Sequence, residues 1–208
     1  MPVVNTLTLT SIALFAGLTL AAAADKEPHF APGDATSYRT RQTNDKVTIA
    51  AVPYVTEEQT RSAFGKLDPN KYGILPLLIV IRNGSSQTIR LESMRIEYVT
   101  SDRAHVDATA ARDVPYLSGA RQPSMTPGPV PGAPTRIKRV KNPLANGQIA
   151  VRAFSAPVLP PGEQASGFFY FQTRNRPDAK AYITGIREAG SGTELLYFEI
   201  PLSYDGSQ

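Results

Sequence analysis

There is no cysteine in the 208 residues, and that absence removes several classes of protein at once. A disulfide framework, a thiolate zinc site, a cysteine nucleophile and a lipoprotein cysteine are all excluded, so the fold must rest on its hydrophobic core. Histidine is scarce as well, with only His29 and His105. A Ser-His-Asp triad is therefore disfavoured, because His105 is the only plausible base and no serine sits in a strained nucleophile turn. A Gly-rich phosphate loop is missing too. The expectation is a protein that is not an enzyme and uses no cofactor or metal.

Charge is absent from the first 24 residues, "MPVVNTLTLTSIALFAGLTLAAAA". An apolar run over 9–20 is followed by small residues, with Ala22 and Ala24 placed for small-x-small cleavage before Asp25. The Lys or Arg that usually precedes such a run is not there. The run is shorter than the roughly 20 residues that cross a bilayer. Residues 1–24 are therefore expected to be a cleavable signal, leaving no stable transmembrane anchor and sending the protein to the periplasm or outside the cell. Counting 22 basic against 18 acidic residues, the chain carries a formal +4, which permits anionic partners without demanding them.

What remains has the size of one domain. Residues 25–45 are polar, contain Pro28 and Pro32 and show no periodicity, so they read as a flexible leader. A single domain is expected over 46–204. In "VTIAAVPYV" (47–55), Val47, Ile49 and Ala51 share a face at period two, and Pro53 marks an edge or bulge. "TEEQTRSAFG" (56–65) is a short connecting helix: Thr56 and Gln59 form a capping box, Glu57 and Glu58 suit the positive end of the dipole, and Gly65 ends it. Further strands are expected over 74–82, 89–99 with a β-bulge where the parity slips at Ser93, 148–154, 165–173, 179–188 and 193–202, the last two joined by a hairpin turn at "AGSG".

Seven strands without alternating long helices predict an all-β fold, an antiparallel two-sheet immunoglobulin-like sandwich, with a closed barrel as the alternative. Residues 99–147 stand out as a long loop or insertion. Ten of the 18 prolines lie between Pro115 and Pro161, and "DATAARD" (107–113) is expected to make one or two helical turns that Pro115 stops.

Four stretches invite chemistry. "DPNKYG" (68–73) begins like a calcium loop, but Tyr72 stands at the fifth position and Ile79 at the twelfth, where a bidentate glutamate is required; a turn before a strand is the better account. In "DRAHVD" (102–107), His105 and Asp107 share a strand face while Asp102 points away, and solvated charges explain the cluster. "RIKRVKNP" (136–143) sets Arg136, Lys138, Arg139 and Lys141 close together as an anion-binding candidate for glycan or lipid headgroups. No aromatics are interleaved there for base stacking, so nucleic acid is not expected. "NGS" (83–85) is sequon-like and reads as a hairpin turn.

The most informative pattern concerns faces. Residues 75–81 and 168–171 are apolar on both sides, so both strands are covered twice. Leu78, Val80, Phe168 and Tyr170 are then either roofed by the long loop or turned toward a partner protein.

"GILPLLIVIRNGSSQTIRL" and "LPPGEQASGFFYFQT" resemble the signature strands of bacterial extracytoplasmic immunoglobulin-like domains, in which an apolar strand ends in Asn plus small residues and a Pro-Gly-Glu turn opens the returning strand. "FGK" followed by "GILPLLIVIRN" is similar to an uncharacterised group of exported bacterial proteins. The resemblance covers about half of the chain beyond residue 24 and specifies fold, with no catalytic residue to carry over. It implies a binding or cell-envelope structural module whose partner is another envelope or secreted protein. A binder of anionic glycan or lipid headgroups through 136–141 is the alternative.

Overall fold

The structure is a computed structural model that describes residues 30–117, 142–145, 147–195 and 197–203. Within them the chain is mostly β, with eleven short strands in three antiparallel sheets and three short α-helices. The first sheet has the order β1 (Arg41–Asn44), β2 (Val47–Pro53), β3 (Leu75–Asn83), β8 (Gln164–Phe171). A small second sheet runs β10 (Arg187–Glu188), β4 (Ile89–Arg90), β7 (Val158–Leu159). The third runs β11 (Phe198–Pro201), β9 (Lys180–Thr184), β5 (Arg95–Val99), β6 (His105–Asp107).

Side-chain parity along β3 divides the interior into two cores. Leu75, Leu77, Ile79 and Ile81 enter a core shared with Val47, Ile49 and Ala51 of β2, Phe171 of β8, and the inward residues Ile96, Tyr98, Ala181, Ile183, Phe198 and Ile200 of the third sheet. Leu78 and Val80 enter the other, with Ala50, Phe168 and Tyr170. Register explains the sorting, since Leu78 pairs with Phe168 and Leu77 with Phe169 in the antiparallel ladder.

The second core is roofed from within the chain. Helix α1 (Glu57–Phe64) contributes Ala63 and Phe64, α2 (Val114–Leu117) contributes Val114, α3 (Gly147–Arg152) contributes Ile149, and Leu144 and Ala35 complete it. Helix α1 has the capping box read from its sequence: Thr56 Oγ1 accepts from the Gln59 amide at 3.2 Å and Gln59 Oε1 accepts from the Thr56 amide at 3.1 Å. Gly65 ends it at φ 66°. It is more than a connector, because its last turn is buried against Phe168, 4.8 Å from the Phe64 ring centroid.

Several expectations change. The count is eleven strands in three sheets, where seven in two were expected. Residues 89–99 are not one bulged strand: at Ser93 the chain leaves the small sheet at β4 and enters the third at β5. Residues 148–154 are helical over α3, because Ile149 and Ala153, four apart, face the second core while Val151 is 72% exposed. Pro115 opens the α2 turn at its second position instead of stopping a preceding one, consistent with a residue that lacks an N–H and fits a helix start.

Residues 30–45 were expected to be a flexible leader, yet they carry a 3₁₀ turn and β1 and form an arm along the first sheet. Phe30 lies on Tyr54 and Phe168, with ring centroids at 6.0 and 5.2 Å. Gln164 clasps the arm by accepting from the Ala35 amide at 2.8 Å and donating to Gly33 O at 3.1 Å. Asp34 pairs with Arg82 at 2.9 Å. Hydrogen bonds from the Thr36 hydroxyl and amide, assisted by Arg82, hold the Asp34 carboxyl below its ordinary value. A folded-state value below the unfolded one stabilises the protein above about pH 4 and loses that contribution as pH falls through the folded value. Asp34→Ala is therefore expected to lower the urea midpoint at pH 7, with the difference from the parent chain shrinking as pH falls below about 4.

Candidate functional site

A sheet covered on both faces offers neither face to a partner. The first sheet has a core on each side. The third sheet packs one face on the first core and leaves the other open, as the alternating burial of β5, β9 and β11 shows. Outward residues form two cross-strand rows: Glu199, Tyr182, Glu97 and Asp107 in one, Pro201, Lys180, Val99 and His105 in the next.

Direct contacts order this face. Lys180 Nζ lies 2.5 Å from Glu199 Oε1, and His105 Nδ1 lies 2.6 Å from Glu97 Oε2. Tyr182 stands between the two carboxylate-bearing strands, and its ring meets that of Tyr197 at 5.4 Å between centroids and 37° between planes. Tyr197 is 52% exposed. At the rim, Asp102 is 3.7 Å from Arg176, and a hydrogen bond from the Thr100 hydroxyl is the main cause holding its carboxyl below the usual range. The result is a mixed-charge surface with rigid aromatic area at its centre, suited to recognition.

This site was missed in the sequence, although a signal existed. In "AKAYITGIRE", Ala181 and Ile183 are core residues by parity, which puts Tyr182 on the outer face. The expected site residues fall elsewhere. Leu78, Val80, Phe168 and Tyr170 are all buried in the second core, and the Tyr170 hydroxyl donates to Ile149 O at 2.8 Å, with burial raising its pKa. Part of their cover does come from the segment over 104–147, through Val114 and Leu144, but the arm and α1 share the task. Arg136, Lys138, Arg139 and Lys141 lie outside the described residues, as do the expected signal 1–24 and the proline-rich stretch 123–134.

The calcium-like stretch is a 3₁₀ turn over Pro69–Tyr72. Asp68 caps it, accepting from the Asn70 amide at 3.1 Å, while Asn70 Nδ2 donates to Tyr54 O at 2.8 Å and Gly73 takes the left-handed conformation. Its acidic and basic residues line a cavity of about 530 Å³ against α1, where Arg61 pairs with Glu57 and Lys71 with Asp68. Among the described residues, no three of His, Asp and Glu are grouped as metal ligands, and no helix is long and apolar enough to cross a membrane. Asn83 of "NGS" is fully buried, and its amide nitrogen donates to Gln87 O and Leu159 O at 2.8 and 2.9 Å, so it offers no free acceptor to a glycan. The turn after it links two sheets and is not a hairpin.

No protein-family model matches the chain, nor does any curated protein. Among solved structures it is similar to "X-ray structure of Northeast Structural Genomics Consortium target SoR45", with a TM-score of 0.34 and 13% identity over 79% of this chain and 92% of that one. At that level the likeness supports no inference about fold or activity.

Proposed function

We propose that this protein is an exported, non-catalytic immunoglobulin-like β-sandwich that binds another envelope or secreted protein through the open face of its third sheet. The carrying observation is the Tyr182 and Tyr197 pair on the outward side of a sheet whose inward side is core. Two four-stranded antiparallel sheets contributing to one core support the sandwich reading. Tyrosine gives large contact area at low entropic cost, and the flanking Lys180, Glu199, Glu97 and His105 supply the charge pattern that selects a partner.

A photo-reactive amino acid at Tyr197, expressed in the native host, tests this directly. We expect a discrete covalent adduct with one protein from position 197 and none from the exposed Lys66 on the α1 side. Adding Tyr182→Ala should reduce the adduct about tenfold, as truncation of a central aromatic anchor does, with the melting temperature nearly unchanged. Equal cross-linking from both positions rejects the sheet-face reading.

A further inference from the structure

We infer that the arm over residues 30–44 exchanges between two copies of this chain, so that β1 of one copy pairs with β2 of the other. This inference is independent of what the third sheet binds. Its first support is the hinge. Strands β1 and β2 are joined by a two-residue turn, Asp45 and Lys46, with φ of 47° and 65°. Two successive left-handed residues define the tight hairpin turn that favours Asn-Gly, and neither position here is glycine. The strain is held in place by Gly84, whose amide donates to Lys46 O at 2.9 Å and whose missing Cβ lets that oxygen approach. Opening the hinge into an extended connection releases the strain, and a short strained hinge is what drives exchange of a terminal element.

The second support is that the arm can leave with the larger core intact, taking from the second core only Ala35 and the partly buried Phe30 and Tyr38. None of its residues belongs to the core between the first and third sheets. Ala35 is its one fully buried apolar residue. The remaining attachments are discrete and transferable: the Phe30 ring on Tyr54 and Phe168 with the Arg152 guanidinium 5.3 Å from its centroid, the Asp34 and Arg82 pair, the Gln164 clasp, and the β1 ladder. Two side chains of β1 also cover the free edge of β11, where Gln42 Oε1 accepts from the Glu199 amide at 2.7 Å and Asn44 Nδ2 donates to Tyr197 O at 2.9 Å. A vacated site therefore exposes an aromatic slot, the Arg82 guanidinium without its Asp34 carboxylate, and two strand edges, all matched by the arm of a second copy. The occupant is that arm, because every complementary group is already in its sequence.

The absence of cysteine gives a clean test. Thr43 and Thr48 face each other across β1 and β2 with their hydroxyl oxygens 2.8 Å apart, so T43C/T48C places one thiol on each side of the exchanged pairing. The full chain is refolded at high and at low concentration, oxidised, and separated without reductant. We expect a disulfide-linked dimer from the concentrated sample and an intrachain bond from the dilute one. Replacing the hinge with D45N/K46G should cut the dimer fraction about tenfold. Should the cysteine pair disturb folding, light scattering on the unmodified chain gives the same readout: a dimer formed at high concentration that D45N/K46G abolishes. An exclusively intrachain disulfide at every concentration, or a dimer indifferent to the hinge, overturns the inference.

Discussion

Gly185→Ala should destabilise the fold by about 4 kcal/mol, far more than an alanine usually costs at a loop glycine. Gly185 lies just beyond β9, at the point where the chain leaves the third sheet for the small one, and has φ +79°. A Cβ there falls 2.1 Å from Ser93 O and 2.9 Å from Ser93 C. Both are backbone atoms of the turn by which the chain passes in the opposite sense, from β4 to β5, and that turn is closed by the Met94 amide donating to Leu91 O at 3.0 Å. Neither crossing can retreat, because Arg95 and Thr184 pair in the ladder immediately beside them. Gly162, at φ +76° with nothing within 4 Å of its virtual Cβ, isolates the conformational part of the penalty. Gly162→Ala should cost about 1 kcal/mol. Urea denaturation of both variants gives the comparison, and equal losses would mean that contact with Ser93 contributes nothing.

That crossing also shows where the sequence misleads. The parity slip at Ser93 is legible, but a bulge and a change of sheet produce the same slip. Only the long-range pairing of β4 with β7 and of β5 with β9 tells them apart. The two apolar faces of β3 were equally legible and led correctly to double cover, since a strand with no polar parity has no side to give to water. What supplied that cover was not readable. Phe30 and Ala35 stand isolated in the sequence: Phe30 is covered by packing on Tyr54 and Phe168, and the turn that buries Ala35 is held by Gln164 and Arg82, more than 45 positions away. For α3, "IAVRAF" satisfies both a period of two and a spacing of four; Tyr170 and Phe168 settle it by burying Ile149 and Ala153. The capping box of α1 was secure because its partners lie within four residues. Of the open face of the third sheet, the parity of Tyr182 was available, whereas its contact with Tyr197 depends on how β9 registers against β11.

Asn83→Ala should cost roughly 3 kcal/mol, and Asn83→Asp should not rescue it. Asn83 ends β3 with no exposed surface. Its Nδ2 donates to Gln87 O and Leu159 O, and its Oδ1 accepts from the Ser85 amide and hydroxyl at 3.0 and 2.7 Å. On the main chain it accepts from the Gly162 amide at 2.7 Å and donates to Glu163 O at 2.9 Å. The strand-ending asparagine and the Pro-Gly-Glu turn, separate in the sequence, thus meet at one residue. It ties the first sheet to β7 of the small one and fixes the start of β8. Alanine takes the amide donor from Leu159 O and from Gln87 O, leaving Gln87 O the Ser85 hydroxyl at 3.0 Å, and a buried polar group that loses a partner is costly in proportion to its isolation from water. Aspartate keeps the acceptor for Ser85 but donates to neither carbonyl, and it adds a charge facing two oxygens. Ser85→Ala removes only part of this set and should cost about 1 kcal/mol. Equilibrium unfolding at pH 7 orders the three variants. An Asn83→Asp chain as stable as the parent would show that the two donated bonds are dispensable and that the junction holds through its backbone alone.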